Sequence, residues 1–373
     1  MVVEPGAAVS TLLPVLHDVL DGRAPAVTPV APETDPSLLS ALRVGEPIGD
    51  DVALVVTTSG TTGTPKGALL TGAALLASAA ATHDRLGGPG RWLLALPPHH
   101  IAGIQVVVRS LAAGTTPVQL DVTAGFDIDL LPAAVSELGS GRRYTSLVAT
   151  QLAKALTAPE ATAALAELDA VLLGGGPAPQ PILDAASAAG VRVVRTYGMS
   201  ETAGGCVYDG VPLPGVRVRI DDGRVVMGGP TLAVGYRNPV SPDPFEQPGW
   251  FVTDDVGTLD VSGVLTVLGR ADDAISTGGL TVMPGPVEAV LSTHPAVAEC
   301  AVFAVPDDRL GQRVAAAVVA AGTTPPSLEE LRAFVGRSLD VTAAPRELHI
   351  VSTLPRRGIG KLDRKALARR FIR

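Results

Sequence analysis

The sequence is poor in cysteine, and this excludes several kinds of site. Its two cysteines, Cys206 and Cys300, lie far apart and show no metal-ligand spacing. Isolated thiols of this kind are typical of a reducing compartment, where they are usually buried and inert. We therefore expect a cytoplasmic protein without a cysteine-bound metal.

Basic tracts and long apolar runs are also scarce. The formal net charge is −8, and the one Lys/Arg-rich stretch, "RRGIGKLDRKALARRFIR", is at the C-terminus, so we expect no nucleic-acid partner. The apolar stretch "ALLTGAALLASAAA" is broken by Thr, Gly and Ser and is too short to span a bilayer. The N-terminus has no basic n-region and carries Glu4, so the sequence predicts neither a signal peptide nor an integral membrane segment.

What the sequence does have is enough apolar residues for a large core, 46% of 373, and alternating strand and helix patterns from Val52 onward. The runs "VALVVTT" and "WLLALP" predict buried strands, the first as a buried parallel strand, and "LDAVLLGGG" and "VRVVRTYG" predict two further strands. "TGAALLASAAATHDRLG", "IAGIQVVVRSLAAG" and "PILDAASAAG" predict helices between them. This alternation favours an α/β fold with largely parallel sheets.

Beyond residue 205 the patterns change. "GVRVRI", "GRVVMGG" and "GVLTVLGR" predict a β-rich subdomain, and "GRADDAISTGG" reads as a linker. A small α+β domain follows, with a helix from Pro286 and a second helix that has the capping box Ser327 and Glu330. We place the boundary near Asp272, which gives an N-terminal domain of residues 1–271 and a C-terminal domain of residues 272–373.

The loop "TTSGTTGTPKG", residues 57–67, follows the first buried strand and has the composition of a phosphate site. Glycines let backbone N–H groups converge on an anion, while hydroxyls and Lys66 add donors and charge. Lys66 follows Pro65 and precedes Gly67, so this is not a Walker A loop, and it is not GxGxxG either. The alternative is a flexible polar surface loop.

Several further motifs occur in a characteristic order. They are "LLGGGPAP", "TYGMSETAGG", "GWFVTDDVG", "GRADDAISTGG" and "PRRGIGKLDRKAL". With the Gly/Thr loop, this set resembles the adenylate-forming superfamily of acyl-CoA synthetases, luciferases and adenylation domains, from about Val52 to the end of the chain. The resemblance implies a large N-terminal domain and a small mobile C-terminal lid, with ATP, Mg²⁺ and CoA as cofactor and co-substrates.

The resemblance also implies roles for individual residues. Glu201 would bind Mg²⁺, and Tyr197 would stack on adenine. The alternative for Glu201 is an exposed residue at a helix start, and for Tyr197 it is core packing. The residues that the resemblance places on ATP or AMP are Thr58, Ser59, Gly60, Thr61, Thr62, Gly63, Thr64, Lys66, Gly174, Gly175, Gly176, Tyr197, Gly198, Met199, Ser200, Asp254 and Arg270.

For the ribose, the resemblance implies that Asp254 accepts hydrogen bonds from the hydroxyls and that the neighbouring Asp255 is the more solvated residue. It also implies that Arg270 contacts the ribose or a phosphate. Arg270 has a surface ion pair as its alternative. Lys361 would bridge the incoming carboxylate and the α-phosphate, unless it belongs to an ordinary basic tail.

After adenylation the small domain would rotate about Asp272 and bring Gly278 and Gly279 to the CoA channel. Arg356, Arg364 and Lys365 are predicted to be solvated or to contact CoA phosphates.

The acyl site is expected on "LPPHHIAGIQVVVRSL". His100 would line it and act in catalysis, with His99 as framework, and the resemblance adds Gly204. On a helix Gln105 and Arg109 share a face, and a second carboxylate on the acid would pair with Arg109. For Arg109 the alternative is a structural ion pair, and for His100 it is capping or packing.

The pattern His-x-x-Gly-x-x-x-x-x-Arg resembles that of the o-succinylbenzoate–CoA ligases of menaquinone biosynthesis. Residues 1–56 precede the loop, a segment shorter than is usual in the superfamily and similar to the short form of this ligase. This implies a carboxylic acid, ATP and CoA as partners. Two departures concern the CoA side: Gly223-Arg224 replaces the common Gly-Glu, and Leu280 to Val282 alter the hinge loop.

The alternatives are an adenylating enzyme for another aryl or fatty acid and a nucleotide-binding pseudoenzyme. A homodimer is left open.

Overall fold

The computed structural model of the protein describes residues 1–3, 5–58, 65–357 and 361–371. The helices, numbered in chain order, are α1 Ala8–Leu20, α2 Pro36–Ala41, α3 Gly72–Arg85, α4 Ile101–Ala112, α5 Leu131–Glu137, α6 Ala149–Ala155, α7 Pro159–Ala166, α8 Gln180–Ala188, α9 Pro284–Leu291, α10 Leu328–Val335 and α11 Arg364–Phe371. Short 3-10 helices lie at Pro5–Ala7, Ser200–Thr202, Ala271–Asp273 and Val341–Ala343.

The strands are also numbered in chain order. They are β1 Val52–Val56, β2 Ala68–Thr71, β3 Arg91–Leu94, β4 Val118–Gln119, β5 Arg143–Val148, β6 Ala170–Gly174, β7 Val193–Met199, β8 Gly204–Tyr208, β9 Val211–Pro212, β10 Arg217–Asp221, β11 Arg224–Gly228, β12 Trp250–Leu259, β13 Leu265–Arg270, β14 Ile275–Thr277, β15 Leu280–Val282, β16 Val297–Asp307, β17 Gly311–Ala320, β18 Glu347–Ile350, β19 Arg356–Arg357 and β20 Lys361–Leu362. The α/β class predicted from the sequence is confirmed.

The largest sheet has seven strands in the order β4-β3-β5-β6-β7-β8-β9. The strands from β4 to β7 pair in parallel, and β8 and β9 add an antiparallel edge. The apolar runs of β3 and β6 are buried on both faces, as continuous hydrophobic strands of parallel sheets usually are. β5 lies between them and was not recognised in the sequence.

The first strand is where the predicted pairing was wrong. β1 is buried along its whole length, as expected, but its ladder partner is β2, and that pairing is antiparallel. Among the described residues, its parallel contact is a bridge between Leu54 and Val27. Burial explains why a continuous apolar run did not reveal strand direction, since both faces are covered in either arrangement.

Two larger sheets and the two-stranded pair β19–β20 follow in the chain. β10 to β13 form an antiparallel four-stranded sheet, the predicted β-rich subdomain. The sheet β15-β14-β17-β16, with β18 parallel to β17, carries α9, α10 and α11. The predicted capping box of α10 is present, with Ser327 and Glu330 bonding each other's backbone N–H. α9 begins at Pro284, earlier than the predicted Pro286, and the expected linker includes β14.

Apolar packing separates the chain into two parts. Among the described residues, two hydrophobic clusters are built from residues 1–265, and two others are built from residues 275–371. None of the four clusters combines residues from both ranges. Each part therefore has a core of its own, on either side of the 3-10 helix Ala271–Asp273. No helix in the described ranges is both long and apolar enough to cross a membrane.

Candidate active site

The carboxyl ends of the parallel strands bring the predicted motifs to one edge of the large sheet. β3 is followed by the turn that contains His99 and His100, β6 by the Gly174–Gly176 turn, and β7 by the segment that contains Glu201. Ligands of open α/β sheets bind at this edge, because the loops that follow parallel strands converge there. The topology thus joins segments that lie far apart in the sequence, such as the turn at His99 and the segment at Glu201.

The Gly/Thr loop joins β1 to β2. Six of its predicted phosphate contacts lie outside the described residues: Ser59, Gly60, Thr61, Thr62, Gly63 and Thr64. At its entrance, the buried Oγ1 of Thr58 has no hydrogen-bond partner within the described ranges. A buried hydroxyl without a partner is uncommon, and here it suits a site that a polar ligand completes.

The exit of this loop is held by a segment that the sequence did not point to. Asn238 donates from Nδ2 to the carbonyl of Pro65 at 2.7 Å, and its backbone N–H donates to Lys66 O at 3.0 Å. The N–H of Arg237 donates to Gly67 O at 2.8 Å. Gly67 has φ +69°, and a Cβ there would lie 2.7 Å from Leu42. The base of the loop is therefore fixed from outside.

Tyr236 connects the two charged residues predicted for phosphate and metal binding. Its hydroxyl donates to Glu201 Oε1 at 2.8 Å, and the ammonium of Lys66 lies 5.2 Å from its ring centroid. Burial, reinforced by the Glu201 carboxylate, raises the pKa of Tyr236, so the hydroxyl stays a donor. Lys66 and Glu201 are thus placed around one aromatic side chain.

Glu201 sits in a constrained turn. Ala203, with φ 51°, and Gly204, with φ +95°, both follow it in the left-handed region, and its carbonyl accepts from Ala233 N–H at 2.8 Å. Gly198 packs so closely that a Cβ would lie 2.1 Å from the carbonyl of Gly204. Only 8% of Glu201 is exposed, so its predicted alternative as an exposed helix-start residue is wrong. Met199 and Ser200 lie in the same turn, with Met199 N–H bonded to Thr202.

The residues around Glu201 suit a Mg²⁺ site in which most of the ligands come from the substrate and from water. The described residues contain no group of three or more His, Cys, Asp or Glu side chains that could hold a metal by themselves. Mg²⁺ in nucleotide sites is commonly bound through one or two carboxylates together with substrate phosphates and water. Glu201, oriented by Tyr236 next to the phosphate loop, suits that kind of site.

The turn after β6 is built for close approach. A Cβ on Gly174 would lie 2.6 Å from Thr196 Oγ1, and Gly175 has φ +85°. A Cβ on Gly176 would meet open space. The first two glycines are therefore required by packing and backbone geometry, whereas Gly176 leaves room beside the sheet edge.

The solvent exposure of Asp254 and Asp255, the two aspartates near Tyr197, is the opposite of what the sequence predicted. Asp255 is half-buried and accepts a hydrogen bond from the Tyr197 hydroxyl at 2.7 Å. The Asp254 side chain is 55% exposed and pairs with Arg270 at 2.9 Å and Arg224 at 3.5 Å. Asp255 is therefore the less solvated of the two, contrary to the prediction, because consecutive residues of β12 point to opposite faces. Burial and Asp255 raise the pKa of Tyr197.

Arg270 links the nucleotide side to the expected hinge. Besides Asp254, it binds Asp272 through Nε at 2.8 Å. Burial opposes ionisation of Asp272, but the Arg270 guanidinium outweighs it and lowers the pKa of that carboxyl. The surface ion pair that was the alternative for Arg270 is thus present.

The residues expected on the C-terminal lid lie beyond this point. Gly278 and Gly279 form the turn between β14 and β15, with φ of +59° and +81°. Lys361 lies in β20, paired with Arg357 in β19, and its side chain is outside the described part. Arg356 bonds Glu299, and Arg364 bonds Asp273 and Glu288, so the prediction that these two arginines are solvated or on CoA is not supported by their contacts.

The acyl-side residues are distributed along α4. His100 is the N-cap residue of α4 and packs against His99, with 4.4 Å between ring centroids. Burial lowers the pKa of His99, so it stays neutral near pH 7. Gln105 is fully buried, and its Cγ would lie 3.1 Å from a Cβ on Gly204. The structure therefore brings two of the predicted acyl-site residues, Gln105 and Gly204, into contact.

Arg109 lies one turn further along α4, in an apolar and aromatic setting. It is 3% exposed, and its Nη2 donates to Tyr208 Oη at 3.3 Å. Its guanidinium stacks 5.0 Å from the Trp92 ring, and burial lowers its pKa. Among the described residues it has no carboxylate partner, so the structural ion pair offered as its alternative is absent there. Its Nε, Trp92 Nε1 and His83 Nε2 lack partners within the same ranges.

Comparisons with known proteins agree with this arrangement. A family model described as AMP-binding enzyme matches residues 10–237, and one described as AMP-binding enzyme C-terminal domain matches residues 286–361. A Mycobacterium tuberculosis H37Rv protein named "Probable 2-succinylbenzoate--CoA ligase" is 72% identical over 370 residues, which cover 98% of this chain and 96% of that protein.

Two solved structures are similar at 32% identity and a TM-score of 0.73. One is the o-succinylbenzoate CoA synthetase (MenE) of Bacillus subtilis in complex with the acyl-adenylate intermediate OSB-AMP, and the match covers 85% of this chain and 69% of that one. The other is the same enzyme in complex with ATP and magnesium ion, where the coverage is 85% and 70%.

Proposed function

The chain belongs to the family of AMP-binding enzymes, and we propose that it is an acid–thiol ligase that activates 2-succinylbenzoate with ATP and transfers the acyl group to CoA. The observation that carries the adenylation chemistry is the placement of Lys66 and Glu201 around Tyr236 at the exit of the phosphate loop. The choice of acid is supported by the names of the relatives, one of which is 72% identical to this chain. The reaction would supply menaquinone biosynthesis.

The proposed reaction has two steps. A carboxylate oxygen of the acid attacks the α-phosphorus of ATP, and the bond to the bridging oxygen of pyrophosphate breaks. The CoA sulfur then attacks the acyl carbon, and AMP leaves with the oxygen that joined it to the acyl group. Neither step forms a covalent bond between the protein and its substrates, so positioning and charge stabilisation provide the catalysis.

We assign the phosphate side first. Lys66, Thr58 and the Gly/Thr loop hold the β- and γ-phosphates, and Glu201 holds Mg²⁺, which would neutralise phosphate charge. Tyr236 is added to this set, because its hydroxyl orients the Glu201 carboxylate. Lys361 is assigned to the carboxylate and the α-phosphate.

For the ribose we propose Asp255 in place of Asp254. The Asp254 carboxylate is already engaged by two arginines and is largely in solvent. Asp255 is half-buried and held by Tyr197, the residue proposed for adenine, so it is better placed to accept from ribose hydroxyls.

The analogue 2′-deoxy-ATP tests which of these two aspartates contacts the ribose. Asp255→Asn should raise KM for ATP about tenfold and abolish the preference for ATP over 2′-deoxy-ATP, whereas Asp254→Asn should change KM about twofold. The reverse ranking would restore Asp254 as the ribose acceptor.

The acyl side is proposed along α4, with His100, Gln105 and Gly204 lining the pocket and Arg109 binding the second carboxylate. A buried guanidinium without a carboxylate partner among the described residues supports this role for Arg109. An acid with one carboxylate would not need it.

The domain organisation is part of the same proposal. Residues 1–271 would bind ATP and the acid, and residues 272–373 would rotate about Asp272 to bring Gly278 and Gly279 to CoA. The two sets of hydrophobic clusters support a division at this point. The proposed site comes from one chain, so it does not require a homodimer. A cytoplasmic location is supported by the isolated thiols, and burial raises the pKa of Cys206 to about 12.

A pyrophosphate-release assay over a panel of acids tests the proposal. Release that depends on 2-succinylbenzoate, together with a CoA thioester as product, is the expected result. Release with simple aryl or medium-chain acids, but not with 2-succinylbenzoate, would indicate another acyl-CoA synthetase. If no acid causes release while ATP still binds, the chain is a nucleotide-binding pseudoenzyme.

A further inference from the structure

Arg364 is the first residue of α11 and lies three positions after Lys361. Its guanidinium makes three contacts to three different elements. Nη1 binds Asp273 Oδ2 at 3.0 Å in the 3-10 helix that contains the expected hinge residue Asp272, and Nη2 binds Glu288 Oε2 at 2.6 Å in α9. Nε donates to the carbonyl of Val302 in β16 at 3.2 Å. One side chain therefore connects the start of α11 to the hinge side and to the sheet.

These contacts are largely shielded from solvent. The side chains of Arg364, Asp273 and Glu288 are 21%, 17% and 12% exposed. Glu288 is itself fixed, because its Oε1 accepts from Val302 N–H at 2.7 Å. A shielded, multiply bonded charge cluster of this kind resists rearrangement, since removing one partner leaves another charge buried without compensation.

The segment that carries Lys361 is anchored to the same place. Asp363, 9% exposed, accepts from Ala366 N–H at 2.9 Å, and its own N–H donates to Pro355 O at 2.8 Å. The strand β20, which contains Lys361, pairs with β19 and leads directly into this cap. The position of the Lys361 backbone is thus coupled to the Arg364 cluster through two residues, Leu362 and Asp363.

We propose that Arg364 is a positioning residue for Lys361. It fixes the start of α11, and with it the β19–β20 pair, against Asp273, the residue that follows the proposed pivot. Rotation about Asp272 would then move Asp273, Glu288, Arg364 and Lys361 as one unit, so that Lys361 enters the adenylation site in one orientation. This role rests on the proposed function.

The two half-reactions provide the test. Arg364→Met should lower kcat for adenylation by about 10- to 100-fold, because a small misplacement of a catalytic group has effects of this size. KM for ATP should change less than about threefold, and conversion of presynthesised acyl-AMP to the thioester should also stay within about threefold. Lys361→Ala should show the same pattern with a larger loss of adenylation.

Two further variants distinguish positioning from general damage. Arg369→Met, at an exposed position on the same helix, is the matched control and should leave both half-reactions unchanged. Glu288→Gln keeps the volume of the side chain but removes one charge, so it should give the Arg364→Met pattern with a smaller loss. Melting temperatures of all variants should confirm that each is folded at the assay temperature.

The outcomes separate this inference from the proposal on which it depends. Equal losses in both half-reactions, or an adenylation loss no larger than that of Arg369→Met, would overturn the role of Arg364 and leave the proposed function intact. If the unmodified enzyme releases no pyrophosphate with any acid, the proposed function fails and the role of Arg364 fails with it.

Discussion

Two shielded arginines of this protein differ in what surrounds them. Arg364 is bound by the carboxylates of Asp273 and Glu288 and by a backbone carbonyl, so its three kinds of guanidinium nitrogen all have partners. Arg109 is more deeply buried, yet it has the neutral Tyr208 hydroxyl and the Trp92 ring. Its Nε has no partner among the described residues.

The difference indicates two kinds of function. A shielded cation whose charge is balanced within the chain can hold elements together, and Arg364 does so at the base of α11. A buried cation without a carboxylate costs free energy unless an anion offsets it, and such costs are usually retained where a ligand is recognised. We therefore assign Arg364 to positioning and Arg109 to the substrate.

The largest expected contrast is in stability. Arg364→Met leaves two shielded carboxylates without their cation and should lower the free energy of unfolding by about 3 kcal/mol. Arg109→Met replaces an unbalanced buried charge with an apolar side chain and should change it by about 1 kcal/mol or less. Urea unfolding curves of both variants, with Arg369→Met as control, measure this. A larger loss for Arg109→Met would mean that the chain itself balances Arg109.

Substrate selectivity should show the opposite ranking. Arg109→Met should lower kcat/KM for 2-succinylbenzoate about 50-fold, since a charge-assisted hydrogen bond to a carboxylate is lost. The same variant should use 4-oxo-4-phenylbutanoate, which lacks the ring carboxylate, within about threefold of the unmodified enzyme. Arg109→Lys serves as the control that keeps the charge. Equal losses with both acids would assign Arg109 to packing.

The surroundings of Arg109 should also make stability depend on pH. Burial, with help from the Arg109 charge, lowers the pKa of His83 to about 4 from 6.5. The unfolded chain therefore takes up a proton near pH 6.5 while the folded chain does not, so stability should fall as the pH drops. Between pH 7 and pH 5 the expected loss is about 2 kcal/mol.

His83→Gln, which cannot titrate, is the comparison for this effect. The variant should lack this part of the pH dependence in urea unfolding curves recorded at both pH values. An identical pH dependence in the two proteins would show that folding does not lower the pKa of His83.

The smallest expected effect concerns Tyr208. Tyr208→Phe removes the hydroxyl that contacts Arg109 at 3.3 Å and Thr82 at 3.0 Å. The contact to Arg109 is long, so we expect a loss of about 1 kcal/mol in unfolding free energy and little change in selectivity. A loss of selectivity as large as that of Arg109→Met would mean that Tyr208, rather than the arginine alone, sets the position of the guanidinium.

The sequence predicted the elements better than their partners. Continuous apolar runs identified β1, β3 and β6, because burial on both faces requires them, whereas β7 was also identified but is only partly buried. The pairing of β1 with β2 was missed, since a buried strand has the same pattern in either direction. The capping box of α10 was predicted correctly because its two residues interact locally.

In the candidate site, too, individual residues could be predicted from the sequence but their contacts could not. Lys66 and Glu201 could be named from motifs, but Tyr236 joins them only because the segment after β11 returns to the exit of the phosphate loop. Which of Asp254 and Asp255 is the less solvated depends on which face of β12 points to Tyr197. A two-residue motif does not specify that face. The partners of Arg364 lie 62 to 91 residues away in the chain.

By itself, the sequence determined the fold class, the family resemblance and the residue types of the chemistry, because these depend on local pattern and composition. The tertiary structure alone decided which charges are balanced within the chain. Arg109 and Arg364 are the same residue type in helical segments, and they differ in the distant elements that pack against them. Burial and partner geometry fix the free energy of a charge, and both arise only when the chain has folded.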